Sequence, residues 1–227
     1  MPQITIGHKD MCRLLGRRLS AEKLCEQLLL MGVEAETIGD RLTLDVTHNR
    51  PDLLSPEGVA RALKGFLGIE TGLPKYRLGT SKVVVEVDRS VIGIRPFIAA
   101  GVVENVKLSE EIVASLMQVQ EKLHASFCRN RRKASIGVYD LDTVTESIKY
   151  TSVAPDGVSF VPLEFTEFMT PAEILQRHPK GIAYSELLLG FPKYPILMDS
   201  NGRVLSMPPV VNSEETRVRE DTRRLFI

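Results

Sequence analysis

The sequence contains little cysteine, and the cysteines it has are neither paired nor clustered. Cys12, Cys25 and Cys128 are an odd number of widely separated residues. This pattern fits neither a disulfide framework nor a zinc site. It indicates a reducing compartment, and we expect a cytoplasmic protein without a metal site in these residues.

A net charge is also absent. Lysine plus arginine and aspartate plus glutamate each number 29, so the formal net charge is zero. No overall electric field then favours nucleic acid or a membrane surface, and any RNA contact must come from a local patch. The densest basic run holds Arg129, Arg131, Arg132 and Lys133. Such a run is usually a solvated surface, and the alternative is contact with RNA phosphates.

Long apolar runs and targeting signals are missing too. The longest uncharged apolar stretch, near residues 28–31, is far short of the roughly 20 residues that a membrane helix needs. Residues 1–4 lack the basic and apolar regions of a secretory signal. We expect no membrane contact. The last three residues, Leu225-Phe226-Ile227, form an apolar run, which predicts a domain truncated inside a strand at its C-terminal end.

Familiar catalytic motifs are absent as well. The sequence has no Gly-x-Ser-x-Gly elbow, no His-Glu-x-x-His and no phosphate-binding loop. Its four histidines lack metal-ligand spacing. His124 falls on a predicted helix, where a structural role is favoured over a general base. Asp140 and Asp142 suit either a turn or a carboxylate pair. The catalytic residues therefore remain unknown at this point.

The chain does contain enough apolar material, 43% of residues, for a sizeable core. In the first part, residues 4–7 and 41–47 have the pattern of strands, and residues 20–30 and 56–67 have that of capped helices. Between them, the loop of residues 49–54 is either structural, with Arg50 paired to an acid, or functional. We favour the structural interpretation.

The second part begins after a segment without periodicity, residues 72–80, in which we place the domain boundary. Residues 82–87, 97–103 and 134–138 are predicted to form strands, and residues 109–129 to form the longest helix. Thr170 begins a predicted capping box, and Asn201-Gly202 predicts a hairpin turn. These patterns predict an α+β fold with a small N-terminal α+β domain, residues 1–78, and a larger mixed-sheet domain, residues 79–227.

Three segments together resemble phenylalanyl-tRNA synthetase beta chains of the archaeal and eukaryotic type. Their order and spacing, with the Met1-Pro2 start, make the resemblance specific over nearly the whole chain. The segments are VTHNRPDLLSPEG at residues 46–58, QEKLH with IGVYDLD within residues 116–142, and DSNGRVLSMPPVVN at residues 199–212.

The resemblance implies that residues 79–227 form an editing domain, which hydrolyses the ester of tyrosine mischarged onto phenylalanine tRNA. The implied partners are that tRNA, the tyrosine moiety, and the synthetase alpha chain in a full-length heterotetramer. No cofactor is implied for these residues, because ATP and magnesium would act elsewhere in the synthetase. For the basic run of residues 129–133, the functional alternative to a solvated surface is contact with the acceptor end of the tRNA.

The resemblance also places the editing pocket on the predicted hairpin. Leu197 would line a pocket for the tyrosine ring, and Ser206 would offer a polar group near the ester or the phenol. Asn212, at the end of the third segment, would also bind substrate. The family's pocket further uses an acidic residue and a threonine that would follow Ile227.

Two other functions remain open from the sequence. Without the resemblance, Leu197 would be a plain core residue and Ser206 a turn or surface hydroxyl. The balanced charge is compatible with a non-catalytic module that positions tRNA or assembles subunits. A free-standing amino-acid-binding domain is a further alternative.

Overall fold

A computed structural model describes residues 2–145 and 147–227. Met1, with which the predicted first domain begins, and Glu146 lie outside the described residues. The chain forms two compact units, one of residues 1–78 and 114–130, the other of residues 79–113 and 131–227. The resemblance implies that residues 79–227 form an editing domain, and this function stays a prediction.

The first unit has a three-stranded antiparallel sheet, in which β3 (Arg41–Asp45) lies between β1 (Gln3–Gly7) and β2 (Glu34–Ile38). Buried side chains from the sheet and helices form one core, which includes Ile4, Leu28, Leu44 and Leu63. In chain order the elements are β1 (Gln3–Gly7), α1 (His8–Leu15), α2 (Ala21–Leu30), β2 (Glu34–Ile38), β3 (Arg41–Asp45) and α3 (Pro56–Phe66).

Local signals begin and end these helices as expected. Ser20 Oγ accepts a hydrogen bond from the Lys23 backbone N–H, and Ser55 Oγ accepts one from Gly58. Gly16 ends α1 at a φ of 70°, a conformation that glycine adopts without strain. The strand β2 was not predicted, because its residues are mostly polar and exposed.

The second unit contains a five-stranded sheet whose strands, in spatial order, are β10 (Val211–Asn212), β9 (Val204–Met207), β8 (Tyr194–Asp199), β7 (Ser147–Val153) and β4 (Val84–Val87). In the described part of this sheet, β4 and β7 pair in parallel and the other neighbours pair antiparallel. The predicted mixed sheet is therefore present. A second, antiparallel sheet has the order β5-β11-β6. The elements are β4 (Val84–Val87), β5 (Val102–Glu104), α4 (Glu110–Ala125), β6 (Tyr139–Asp140), β7 (Ser147–Val153), α5 (Pro171–Arg177), α6 (Pro179–Tyr184), β8 (Tyr194–Asp199), β9 (Val204–Met207), β10 (Val211–Asn212) and β11 (Arg224–Phe226).

The helix α4 changes the predicted division of the chain. Its residues from Ala114 onward, and the turn to Asn130, belong to the first unit. The physical reason is its apolar face, since Val119 and Leu123 pack against the first unit's core. The range 79–227 is thus not one continuous structural unit.

Two predicted strands in the second unit are wrong in whole or in part. Of residues 97–103, only the end is in strand, and Phe97 is 92% exposed. Residues 134–138 are irregular, and the short strand begins at Tyr139. The capping box at Thr170 and the hairpin at Asn201-Gly202 are both confirmed.

Candidate functional site

The hairpin β8–β9 is held in place by its own turn. Asp199 Oδ1 accepts hydrogen bonds from the backbone N–H groups of Asn201 and Arg203, both at 2.9 Å. Its Oδ2 atom accepts one from Thr145 N at 3.1 Å. Gly202 supplies the positive φ, 82°, that the turn requires. The turn therefore joins β8 and β9, whose pairing contains a register shift between Leu197 and Met198.

The structure brings the three predicted pocket residues together. Leu197 lies directly opposite Ser206 across β8 and β9, and Ser206 lies directly opposite Asn212 across β9 and β10. Directly opposite residues of an antiparallel pair carry neighbouring side chains. Leu197 and Ser206 are each 2% exposed, and Asn212 is half-buried. We call these three residues the row.

A tyrosine that sequence reasoning did not select completes the surroundings of the row. Tyr139 Oη lies 2.8 Å from Ser206 Oγ, and both side chains are buried. Burial raises the pKa of the Tyr139 phenol to about 12, so the phenol keeps its proton at neutral pH. The neighbouring carbonyl of Val138 accepts a hydrogen bond of 3.4 Å from Asn212 Nδ2. The segment 138–139 therefore contacts two members of the row.

A missing side chain at Gly137 makes room for this phenol. A Cβ atom at Gly137 would lie 2.0 Å from Tyr139 Oη and 2.4 Å from Cζ. No side chain larger than hydrogen fits at this position unless the phenol moves. Both residues belong to the IGVYDLD segment, but their contact with Ser206 joins residues far apart in the chain. No local pattern could have revealed it.

The basic run does not form one set of exposed cations. Arg129, Arg132 and Lys133 are exposed, whereas Arg131 is 6% exposed. Arg131 Nη1 donates hydrogen bonds to the carbonyls of Pro209 and Val210, at 3.0 and 2.8 Å. The predicted tRNA contact is therefore corrected for Arg131, whose guanidinium is used inside the second unit.

Arg131 also packs over an aromatic ring, with its Cζ 4.5 Å from the centroid of Tyr184, a cation–π arrangement. It ends a run of three left-handed residues, with φ values of 52°, 51° and 64° at Arg129, Asn130 and Arg131. For each of the two arginines this conformation costs about 1–2 kcal/mol. The buried contacts of Arg131 help to offset this cost.

The paired aspartates are explained by structure. Asp140 accepts hydrogen bonds from Thr222 Oγ1 at 2.8 Å and from Asp142 N at 3.0 Å. Hydrogen bonds from Arg224 and from the backbone of Arg223 hold the pKa of Asp142 below its ordinary value. Both carboxylates thus tie β11 and the segment before it to the turn after β6.

The loop of residues 49–54 contains an internal ion pair. Arg50 donates two hydrogen bonds to the two carboxylate oxygens of Asp52, at 2.9 and 2.8 Å. The Arg50 hydrogen bonds lower the pKa of Asp52. This is the predicted pairing of Arg50 with an acid. His124 is buried on α4, 3.6 Å from Glu121, in agreement with a structural role.

Within residues 2–145 and 147–227, no group of three or more histidine, cysteine, aspartate or glutamate side chains is arranged to hold a metal ion. No helix in that part of the chain combines the length and apolar character needed to cross a membrane.

Comparisons with known proteins give a consistent result, although no protein-family model matches the chain. Its curated relatives include phenylalanine–tRNA ligase beta subunits from Methanothrix thermoacetophila (45% identical), Archaeoglobus fulgidus (44%) and Methanocaldococcus jannaschii (43%). Each comparison covers 100% of this chain but only 41–42% of the relative. The chain thus spans about two fifths of their length.

A solved structure matches as well. It is the crystal structure of an N-terminal fragment of the phenylalanyl-tRNA synthetase beta-subunit from Pyrococcus horikoshii. The TM-score is 0.92 at 40% sequence identity, and the comparison covers 99% of this chain and 67% of the other.

Proposed function

This chain belongs to the phenylalanyl-tRNA synthetase beta-subunit family and corresponds to its N-terminal part, and from this premise we propose that its second unit hydrolyses the ester of tyrosine mischarged onto phenylalanine tRNA. An apolar pocket for phenylalanine rejects an analogue that merely adds a hydroxyl by only about a hundredfold. Tyrosine is that analogue. A second site that recognises the phenol hydroxyl would remove tyrosine that has been attached to phenylalanine tRNA.

The buried hydroxyl of Ser206 is the observation that carries this proposal. A site that hydrogen-bonds a phenol rejects phenylalanine, because phenylalanine would leave a buried polar group without a partner, at a cost of about 1–3 kcal/mol or more. Leu197, opposite Ser206, supplies the apolar contact that an aromatic ring needs. The row thus has both properties that selection of tyrosine requires.

Hydrolysis of the ester requires few further groups from the protein. An aminoacyl ester is already activated, so a positioned water and donors for the developing oxyanion provide most of the catalysis. Asn212 is the half-buried member of the row, and its carboxamide both donates and accepts hydrogen bonds. It is suited to hydrogen-bond the substrate within the row.

We infer the partners from the same premise. Phenylalanine tRNA would be the carrier of the substrate, and in the full-length heterotetramer the alpha chain would be the partner subunit. ATP and magnesium would be used outside these residues, for aminoacylation. A cytoplasmic location agrees with this assignment.

Contact with the tRNA would come from the exposed members of the basic run, Arg129, Arg132 and Lys133. Arg132 already forms an ion pair with Glu186, and both side chains are more than half exposed. Exposed pairs of this kind contribute at most about 1 kcal/mol, so a phosphate can replace the carboxylate.

Incubation with tyrosine-charged phenylalanine tRNA tests the function directly. We expect release of tyrosine above the spontaneous rate, while phenylalanine charged on the same tRNA persists. Ser206→Ala should lower kcat/KM roughly tenfold or more, because it deletes the buried hydrogen-bonding group. Ser200→Ala is the matched control, since Ser200 is an exposed serine on the same hairpin.

The assay is run on this chain and on the full-length beta subunit assembled with its alpha chain. Tyrosine release at the spontaneous rate in both proteins would refute the proposal. Binding of tRNA that persists without any release, and that Ser206→Ala leaves unchanged, would instead support a non-catalytic module that positions tRNA.

A further inference from the structure

The hydroxyl groups of Tyr139 and Ser206 carry two hydrogens, but a single hydrogen bond joins them. Each O–H group brings one hydrogen, and the two groups share a single bond of 2.8 Å. Neither hydroxyl has another hydrogen-bonding partner among residues 2–145 and 147–227. One buried hydrogen is therefore left over, and burying it without an acceptor is unfavourable. Such a group is ready to bind an oxygen atom of a ligand.

The relative acidity of the two hydroxyls favours one of them as the hydrogen-bond donor. A phenol is a stronger acid than an alkyl alcohol, and is therefore the better hydrogen-bond donor. Burial raises the pKa of Tyr139 to about 12, so its hydrogen stays in place at neutral pH. Donation from Tyr139 to Ser206 Oγ would leave the hydrogen of Ser206 for a ligand.

The surroundings of Tyr139 hold the phenol in one position. Tyr139 pairs with Phe226 across β6 and β11, and their ring centroids lie 5.8 Å apart. On the other side, the backbone of Gly137 closes against the phenol hydroxyl. Tyr139 is 5% exposed. A donor fixed in this way fixes the rotation of the serine hydroxyl as well.

We propose that Tyr139 is a positioning residue for the editing reaction: it donates a hydrogen bond to Ser206 and thereby directs the hydrogen of Ser206 toward the phenol oxygen of the bound tyrosyl group. This inference rests on the proposed function. It assigns Tyr139 no direct contact with substrate.

A double-mutant cycle tests the proposal. Tyr139→Phe keeps the ring and deletes the hydroxyl, and it should lower kcat/KM for tyrosine release roughly tenfold, the effect of one hydrogen bond. Because Tyr139 acts only through Ser206, the double variant Tyr139→Phe/Ser206→Ala should be no slower than Ser206→Ala alone. Two additive losses would overturn the inference.

Tyr150→Phe is the matched control. Tyr150 is 3% exposed, belongs to the same core cluster as Tyr139, and also loses a hydrogen bond, since its hydroxyl donates to Arg95 O at 2.8 Å. That hydroxyl does not contact Ser206. Both variants should lose thermal stability, but only Tyr139→Phe should change kcat/KM by more than about twofold.

If Tyr139→Phe does not fold, Tyr139→3-fluorotyrosine is the second test variant. The fluorinated side chain retains both the ring and the hydroxyl donor. It should keep kcat/KM within roughly threefold of the original protein, as expected when the donor is retained. Normal tyrosine release by a folded Tyr139→Phe protein would overturn the inference and leave the proposed function intact. Absence of release by the unsubstituted protein would refute the proposed function itself.

Discussion

At the scale of single residues, close approaches of backbone to backbone determine which positions accept no side chain. Gly58 lies on α3, and a Cβ atom there would be 1.9 Å from the carbonyl oxygen of Asp52. The loop of residues 49–54 therefore packs directly on the helix. Gly65 lies on the same helix, exposed, and its Cβ would meet nothing closer than 3.8 Å. The two glycines have the same backbone context but different surroundings.

Substitution of these two glycines by alanine should change the free energy of unfolding in opposite directions. Gly58→Ala must displace the loop or the helix and should lower the free energy of unfolding by about 2–4 kcal/mol. Gly65→Ala should raise it by up to about 1 kcal/mol, because alanine favours a helix. Hydrogen exchange at the amides of β1, β3 and α3 measures both effects locally. Equal effects of the two substitutions would show that the close approach is not what constrains Gly58.

Single residues also show how much of the site's geometry the sequence could predict. Leu197 and Ser206 were expected to act together, and the register of the hairpin places them opposite each other. Tyr139 was missed, because its hydrogen bond to Ser206 depends on how two sheets meet. Arg131 was predicted to be exposed like its charged neighbours, because a run of cations does not reveal which one turns inward.

At the scale of elements, the structures that sequence predicted well are those with a local cause. The helix starts at Ser20 and Ser55 and the capping box at Thr170 each depend on contacts within three residues. The Asn201-Gly202 turn is also local. The strands β2 and β7 were missed and residues 134–138 were misassigned, because strand pairing depends on partners distant in sequence. Propensity alone cannot supply those partners.

The connection between β9 and β10 depends on a buried cation. Arg131→Met should lower the free energy of unfolding by about 3 kcal/mol or more, because the carbonyls of Pro209 and Val210 lose buried charged donors. Arg132→Met is the matched control, with an expected change of at most about 1 kcal/mol, since its ion pair is exposed. Urea unfolding of the two variants measures the difference. If the two variants lose equal stability, the buried bonds of Arg131 do not hold this connection.

At the scale of the whole molecule, charge balance limits how the chain can bind RNA. The 29 basic and 29 acidic residues cancel, so attraction to a polyanion must come from local groups and not from the overall field. The fold determines where those local groups lie, and sequence composition alone does not predict their positions. Affinity for tRNA should therefore depend on few phosphate contacts and be only moderately sensitive to salt.

The slope of log affinity against log salt concentration provides the measurement. Each phosphate neutralised contributes roughly 0.7 to 0.9 to that slope. Replacing both exposed cations of the second unit's basic run, Arg132→Gln with Lys133→Gln, should reduce the slope by about 1.5 if both contact phosphates. Lys75→Gln with Arg77→Gln is a charge-matched control, because both residues are exposed in the segment of residues 72–80 and outside the predicted contact. An equal reduction by both pairs would show that general charge, and not the predicted contact, governs binding. An unchanged slope in the Arg132 and Lys133 variant would remove these two residues from the tRNA interface.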